Sequence, residues 1–369
     1  MSTDGARRLV LVAGVGRSGT SLFTTILGMV GFHVPQPEVA ADSTNPKGFG
    51  EPQWVVDFHG RLLRARRVSP WDSRPAAWEE TSRAAEDDKA FAELRAWLAV
   101  QFVGRDQVVI KDPRIGWFLP LWRRAADDLG IHVSFATLLR HPAEAVSSAI
   151  TWYGTWQSSA SRTLSWDNIM LETEYATRGD RRVFVRYEEL LGNWSGEVAR
   201  AGVALDIPVL RELPEAARAE IDAFVDPSLH RSKVAWSDLG VPAQVEELTE
   251  DIWKDFVRLA EPGGDDGDLA PTLDAARERY HRFYAEAEQI AQSSLHALRP
   301  RNPKQGSSGA PTKGTPGGGQ GRGSRPSGAD AVIRLAERVV PVKVRRKVPP
   351  VWRARIVRVS NRVGRVVRR

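Results

Sequence analysis

The chain has 369 residues, 42% hydrophobic and 27% charged, enough to bury one sizeable α/β core with residues to spare. It contains no cysteine, which excludes disulfides and thiolate metal sites, and its seven histidines show no metal-ligand spacing, so no metal is expected. The net charge of +6 is uneven: residues 330–369 carry thirteen Lys/Arg against two acids, whereas residues 1–298 are net acidic, which argues against broad nucleic-acid binding by the body.

The chain opens with "RRLVLVAGVG", an apolar run rich in β-branched residues and ending in glycines, followed by "TSLFTTILGMVGF" with apolar residues at helical spacing. This pattern reads as a strand, a loop and a helix. The apolar run is too short to span a bilayer and enters the loop rather than a cleavage site, so neither a signal peptide nor a transmembrane helix is expected, and a cytoplasmic location is. Further along, "PQWVVDFHGRLL" and "FAELRAWLAVQFVG" are helical in pattern. Three more strands are predicted at 106–111, 132–140 and 181–187, the third strand running into a helix from Pro142 and the fourth into "EELLGNW". Strands alternating with helices imply an α/β fold with a mostly parallel sheet covered on both faces, a three-layer P-loop-type domain over residues 1–298. Polar motifs stand at the carboxyl ends of all four strands: Arg17, "KDPR" (111–114), "RHPAE" (140–144) and Tyr187. Ligands bind beyond those ends in such sheets.

The loop "GVGRSGTS" (14–21) satisfies the P-loop consensus G-x-x-x-x-G-K-[ST] at Gly14, Gly19 and Ser21, but Thr20 holds the lysine position and the cation has moved to Arg17. Gly16, Arg17, Ser18, Gly19, Thr20 and Ser21 can bring backbone N–H groups and a helix N-terminus to an oxyanion. A purely structural glycine turn is the alternative. A second basic motif, Arg140 with Ser148 eight residues later, suits a ligand with two separated anionic groups.

Together these residues resemble the sulfotransferases that use 3′-phosphoadenosine 5′-phosphosulfate (PAPS). "GVGRSGTS" is similar to that family's 5′-phosphosulfate loop, "LLRHPAEAVSSA" (138–149) to its 3′-phosphate motif, and Tyr187 in "VRYEEL" stands where the family has a tyrosine near adenine. "NPKGFGEP" and "KDPRIGWFLPLW" resemble stretches of the bacterial members. The likeness spans residues 8 to about 235. It implies PAPS as donor without a metal, and a hydroxyl acceptor on a carbohydrate or glycolipid. Arg17 then lies beside the bridging oxygen, Arg140 and Ser148 hold the 3′-phosphate, and Lys111 contacts the sulfuryl oxygens, unless it is a solvated strand-end lysine. Arg231 in "DPSLHRSK" is a further candidate 3′-phosphate contact. The family's K-T-H histidine is missing, since Asp112 and Pro113 follow Lys111; Glu51 is the first choice of base and Asp112 the second, with a helix-capping carboxylate the alternative for Glu51. Leu22 replaces a tryptophan that stacks on adenine in many relatives, so Trp152, Trp156 and Trp166 are candidate rings, in a segment 150–180 that reads either as a lid or acceptor wall or as ordinary core. Arg114 is expected to pair with Asp112 or with an acidic acceptor, and His59 to be packed among apolar neighbours.

Residues 299–329 are Gly/Pro/Ser-rich and expected to be disordered. In 330–369, "VWRARIVRVSNRVGRVVRR" places Trp352, Ile356, Val359, Val363 and Val366 opposite Arg355, Arg358, Arg362 and Arg365, a cationic amphipathic helix suited to an anionic membrane surface at the inner face. Nucleic acid and a solvated tail are its rivals. Two other functional classes stay open: a nucleoside-triphosphate kinase or hydrolase, which would need a Walker lysine and a magnesium-holding acid, and a non-catalytic nucleotide-binding module.

Overall fold

The computed structural model describes residues 7–298 apart from 44, 46, 155 and 227–233. Arg231 and the basic tail therefore lie outside the described residues. The chain divides into two units, 1–299 and 300–369.

The four apolar runs form β1 (Arg8–Ala13), β2 (Gln107–Lys111), β3 (His132–Leu139) and β4 (Arg182–Arg186), all parallel and in the order β2-β1-β3-β4. Val10 stands opposite Val109 on one side and Ser134 on the other. Parallel strands need crossover connections, and helices supply them. α1 (Thr20–Met29), α2 (Gln53–Arg66), α3 (Ala76–Ser82) and α4 (Asp88–Gln101) lie between β1 and β2, and α5 (Leu119–Asp128) between β2 and β3. α6 (Pro142–Tyr153) and α7 (Ser159–Ala176) lie between β3 and β4. α8 (Tyr187–Gly192), α9 (Trp194–Ala204), α10 (Pro208–Arg211), α11 (Glu215–Phe224), α12 (Ala243–Leu259) and α13 (Ala270–Leu298) follow β4.

Successive residues of β1 serve opposite faces, as the period of two requires. Leu9, Leu11 and Ala13 pack with Phe58 of α2, Leu98 of α4, Trp122 of α5, Trp166 of α7 and Phe256 of α12. Val10 and Val12 pack with Phe23 and Ile26 of α1, Leu190 of α8 and Val198 of α9. The sheet is thus a middle layer with an apolar core on each side.

Of the two readings of 150–180, most of α7 follows that of ordinary core. Residues 162–174 of this helix are all buried, and Trp166, offered as a ring for adenine, is 0% exposed against Trp253 and Phe256. At the surface are Trp152 near the end of α6, Trp156 in the link between α6 and α7, and Tyr175 near the end of α7. The polar side chains of α7 explain why its pattern misled: Ser165 donates to the Trp71 carbonyl and Asn168 to the carbonyls of Asp72 and Arg74, so they anchor a neighbouring loop rather than face water.

The chain crosses from β1 to β2 on one side of the sheet and continues through β3 to β4 on the other, so the connections part between the carboxyl ends of β1 and β3. A crevice opens at such a point. Gly14 sits there with φ +129°, and a Cβ on it would come 2.7 Å from the Leu138 carbonyl oxygen of β3. Only glycine lets the loop lie so close to the neighbouring strand.

Candidate active site

Gly19, with φ +87°, is the N-cap residue of α1, and no side chain caps the helix. The first N–H groups of a helix have no acceptor within it and carry partial positive charge. Beside them the Ser18 hydroxyl is buried with no hydrogen-bond partner. A built Cβ on Gly19 would lie 2.2 Å from Cδ2 of Tyr187, so the ring at the start of α8 closes directly on the loop. Arg17 adopts φ +77°, uncommon for a residue with a side chain. That conformation sends its Nε to Ser148 Oγ at 3.0 Å and its carbonyl to Arg140 Nη1 at 3.0 Å. The loop after β1 is therefore tied to the loop and helix after β3.

Arg140 also donates to Glu144 at 3.0 Å and lies 5.0 Å from the Tyr187 ring centroid. Glu144 does open α6, as its sequence position suggests, and additionally balances Arg140. His141 caps α6, accepting from the Ala143 N–H, and its other nitrogen meets Glu250, a structural position.

Lys111, at the end of β2, is 3% exposed and so is not a solvated strand-end lysine. Its ammonium donates to Ser21 Oγ at 3.3 Å, to the Phe49 carbonyl at 3.2 Å and to the Glu51 carboxylate. Glu51 precedes Pro52, the N-cap residue of α2, and no side chain caps that helix. Its carboxylate lies between Lys111 and Arg114, whose Nη2 is 3.9 Å from Oε2. Burial raises the Glu51 pKa above its usual value, and the Lys111 charge offsets only part of the rise. A buried carboxylate that is ready to hold a proton is suited to general-base work.

Asp112, beside Lys111, is placed differently. It is fully buried, accepting from the Arg114 backbone N–H at 2.8 Å and side chain at 2.7 Å, with Oδ2 3.2 Å from His59 Nδ1. The Trp122 indole, which can only donate, reaches His59 Nε2 at 2.9 Å, so that nitrogen accepts and Nδ1 carries the proton toward Asp112. Burial lowers the His59 pKa, in keeping with a neutral ring. Burial alone would raise the Asp112 pKa, but the His59 hydrogen bond and the Arg114 charge hold it well below the usual carboxylate range. His59 is packed, as its apolar neighbours suggest, and is also a polar partner.

Gly16, Arg17, Glu51, Lys111, Arg140 and Tyr187 line one cleft. One end of this cleft is bounded by Leu22, Thr25 and Phe224, with Lys47 4.5 Å from the Phe224 ring centroid. A second pocket shares Gly16, Glu51 and Tyr153 with the first and extends to Trp71, Trp156 and Arg162. Glu51 and Tyr153 thus stand in the wall between two spaces. The Tyr153 hydroxyl interacts with Arg17, and burial raises its pKa. Sequence reasoning missed Tyr153, Arg162, Trp71 and Phe224, which sit in helices or irregular segments without motif spacing. Tyr153 adjoins a tryptophan that was singled out, and that adjacency was the one available signal.

Among the described residues, no group of three or more His, Cys, Asp or Glu side chains gathers as a metal site requires, and no helix is long and apolar enough to cross a membrane.

No protein-family model matches the chain, and no curated protein does. Among solved structures it is similar to the sulfotransferase domain of the Synechococcus PCC 7002 olefin synthase (17% identity, TM-score 0.41, covering 70% of this chain and 98% of that one). It is also similar to sulfotransferase STF1 from Mycobacterium tuberculosis H37Rv (16%, 0.37, 66% and 76%) and to the sulfotransferase domain from the curacin biosynthetic pathway (13%, 0.35, 72% and 97%). At such identities and scores, residue roles are drawn from the geometry of this chain alone.

Proposed function

We propose that the chain transfers a sulfuryl group from PAPS to a hydroxyl of a carbohydrate or glycolipid acceptor. The observation that carries this reading is a lysine-free anion loop served by cations from Arg17 and Lys111, with the buried Glu51 carboxylate in the wall between that loop and a second pocket. The orphaned Ser18 hydroxyl, the uncapped start of α1 and the Tyr187 ring packed on Gly19 fit an anionic nucleotide. Residues 16–21 would hold its 5′ side and Arg140, with Ser148 and Arg231, its 3′-phosphate; Leu22, Phe224 and Tyr187 would border the adenine.

PAPS supplies a sulfuryl group whose S–O bond to the 5′-phosphate breaks as the acceptor oxygen bonds to sulfur. Glu51 removes the proton of that acceptor hydroxyl. Its accessibility from both spaces favours it over Asp112, whose oxygens are committed to His59 and Arg114. Arg17 and the N-terminus of α1 stabilise the charge that grows on the departing phosphate, and Lys111 neutralises the equatorial oxygens. Thr20 in the lysine position leaves a γ-phosphate without its usual partner, against a kinase or hydrolase reading.

The direct test is thermal stabilisation. 3′-Phosphoadenosine 5′-phosphate (PAP) at about 100 times its Kd should raise stability by roughly 2.7 kcal/mol. ATP with magnesium should leave Tm unchanged. The reverse pattern would favour the nucleotide-kinase class, and isotopically labelled donor incubated with cell-envelope extract identifies the acceptor.

A further inference from the structure

Arg162, the fourth residue of α7, is a charged group near the site whose chemistry the transfer reaction does not use. The side chain is 0% exposed, yet it lines the pocket that begins at Glu51. Its Nη2 donates to the Gly154 carbonyl at 2.7 Å, while Nε and Nη1 have no hydrogen-bond partner. Arg74, Arg114, Arg140, Arg178 and Arg182 each pair with a carboxylate. Among the described residues Arg162 pairs with none. It lies instead between two indoles, its guanidinium carbon 5.7 Å from the Trp71 ring centroid and 5.6 Å from that of Trp156, the latter 67% exposed. Glu51 shares the pocket, but its partners are Lys111 and Arg114, not Arg162.

A buried guanidinium with two open donors is costly to fold around, and cation–π contact replaces only part of the lost hydration. Arginine forms charge-assisted hydrogen bonds with carboxylate, phosphate and sulfate, and Nε and Nη1, on different edges of the guanidinium, each have an N–H to give. Trp71 and Trp156 add flat apolar walls against which a ring can lie.

We propose that Arg162 is the specificity determinant of the acceptor pocket, and that the acceptor carries an anionic group, carboxylate, phosphate or sulfate, on a ring or apolar body next to the hydroxyl presented to Glu51. The proposal rests on the sulfotransferase reading for what happens at Glu51, but the anion subsite itself can be measured without turnover.

The test uses the full chain saturated with PAP, which fills the anion loop, titrated with phenyl phosphate, phenyl sulfate and benzoate against the neutral benzamide. Wild type should bind at least one of the anions at least about tenfold more tightly than benzamide, the scale of a charged hydrogen bond. Arg162→Met should erase that preference while leaving PAP affinity within about twofold, because Arg162 touches none of the loop residues, and should not lower Tm, since it removes an unpaired buried charge. Arg162→Lys, which keeps the charge and loses the planar guanidinium and its separate donors, should retain part of the preference and supplies the comparison should the methionine variant fold poorly. Which anion binds tightest assigns the group among the three. Equal binding of benzoate, the two esters and benzamide by wild type, or an anion preference unchanged in both variants, would overturn the proposal. Failure of PAP to stabilise wild type would instead count against the sulfotransferase reading, and the wild-type against Arg162→Met comparison, run without PAP, would still read the subsite.

Discussion

The anion cradle at residues 14–21 and the pocket beyond Glu51 share a wall but are made in opposite ways. The cradle is a short connection between β1 and α1, built from backbone groups and closed by single contacts from Ser148, Arg140 and Tyr187. Besides Gly16 of the loop, the pocket draws on widely separated segments, among them those at Glu51, Trp71, Arg114, the end of α6 at Tyr153, and α7 at Arg162. Local backbone geometry makes the first, and long-range side-chain packing makes the second. Substitutions in the cradle should therefore change catalysis and nucleotide binding with little loss of stability, whereas substitutions behind the pocket should destabilise the fold first.

Glu51→Gln gives the largest expected change. Loss of a general base should reduce kcat by about 10²–10⁴-fold with the protein still folded. With Glu51 as the proposed base its ionised form is the active one, and its pKa is raised, so wild-type kcat/KM should fall with decreasing pH at a value above the ordinary 4.5, and the variant should lack that limb. Near-wild-type kcat would remove Glu51 from the reaction. Asp112→Asn probes the other side of the comparison. It breaks a buried pair and should cost about 3–5 kcal/mol in urea denaturation. Because the folded pKa of Asp112 is depressed below its ordinary 3.8, its contribution is present above that pH and lost as pH falls toward the folded value, so the variant should show a shallower acid dependence there. A loss under 1 kcal/mol would mean that the brace is not structural. Arg17→Ala should lower kcat by about 10²–10³-fold with a smaller effect on PAP affinity; a change in KM alone would place Arg17 in binding only. Gly19→Ala is smallest, about 1–3 kcal/mol of strain from its positive φ and the Tyr187 contact, read as weaker PAP binding and a loss of Tm smaller than that of Asp112→Asn. If Tm falls as far as in Asp112→Asn, the cradle is as deeply coupled to the core as the pocket, and the contrast fails.

The same contrast explains what the sequence could disclose. The four strands and the loop were legible because burial on both faces writes continuous apolar runs, and because a turn needing positive φ writes glycine at Gly14 and Gly19. Arg17, Lys111, Arg140 and Tyr187 were findable from their place at strand ends, and the structure brings all four to one cleft. The polar face of α7 was not legible as core, since Ser165 and Asn168 look solvent-facing until the loop carbonyls that they meet are in place. Neither was the difference between adjacent Lys111 and Asp112. Alternation along the strand end turns one toward Ser21 and Glu51 and the other toward His59 and Arg114, and only the fold shows which way leads to the cleft.

The Lys111 ammonium touches both Ser21 and Glu51, so each space registers what occupies the other. A ligand whose oxygens draw that ammonium toward the loop leaves the Glu51 carboxylate with less compensation, and its proton affinity rises further. By linkage the proton and the anion then favour one another, and the anion should bind more tightly as pH falls through the Glu51 range. Under the proposed transfer reaction, one shared cation would make Glu51 a stronger base with the cradle filled than with it empty, so a bound acceptor would meet its full basicity only with the donor in place.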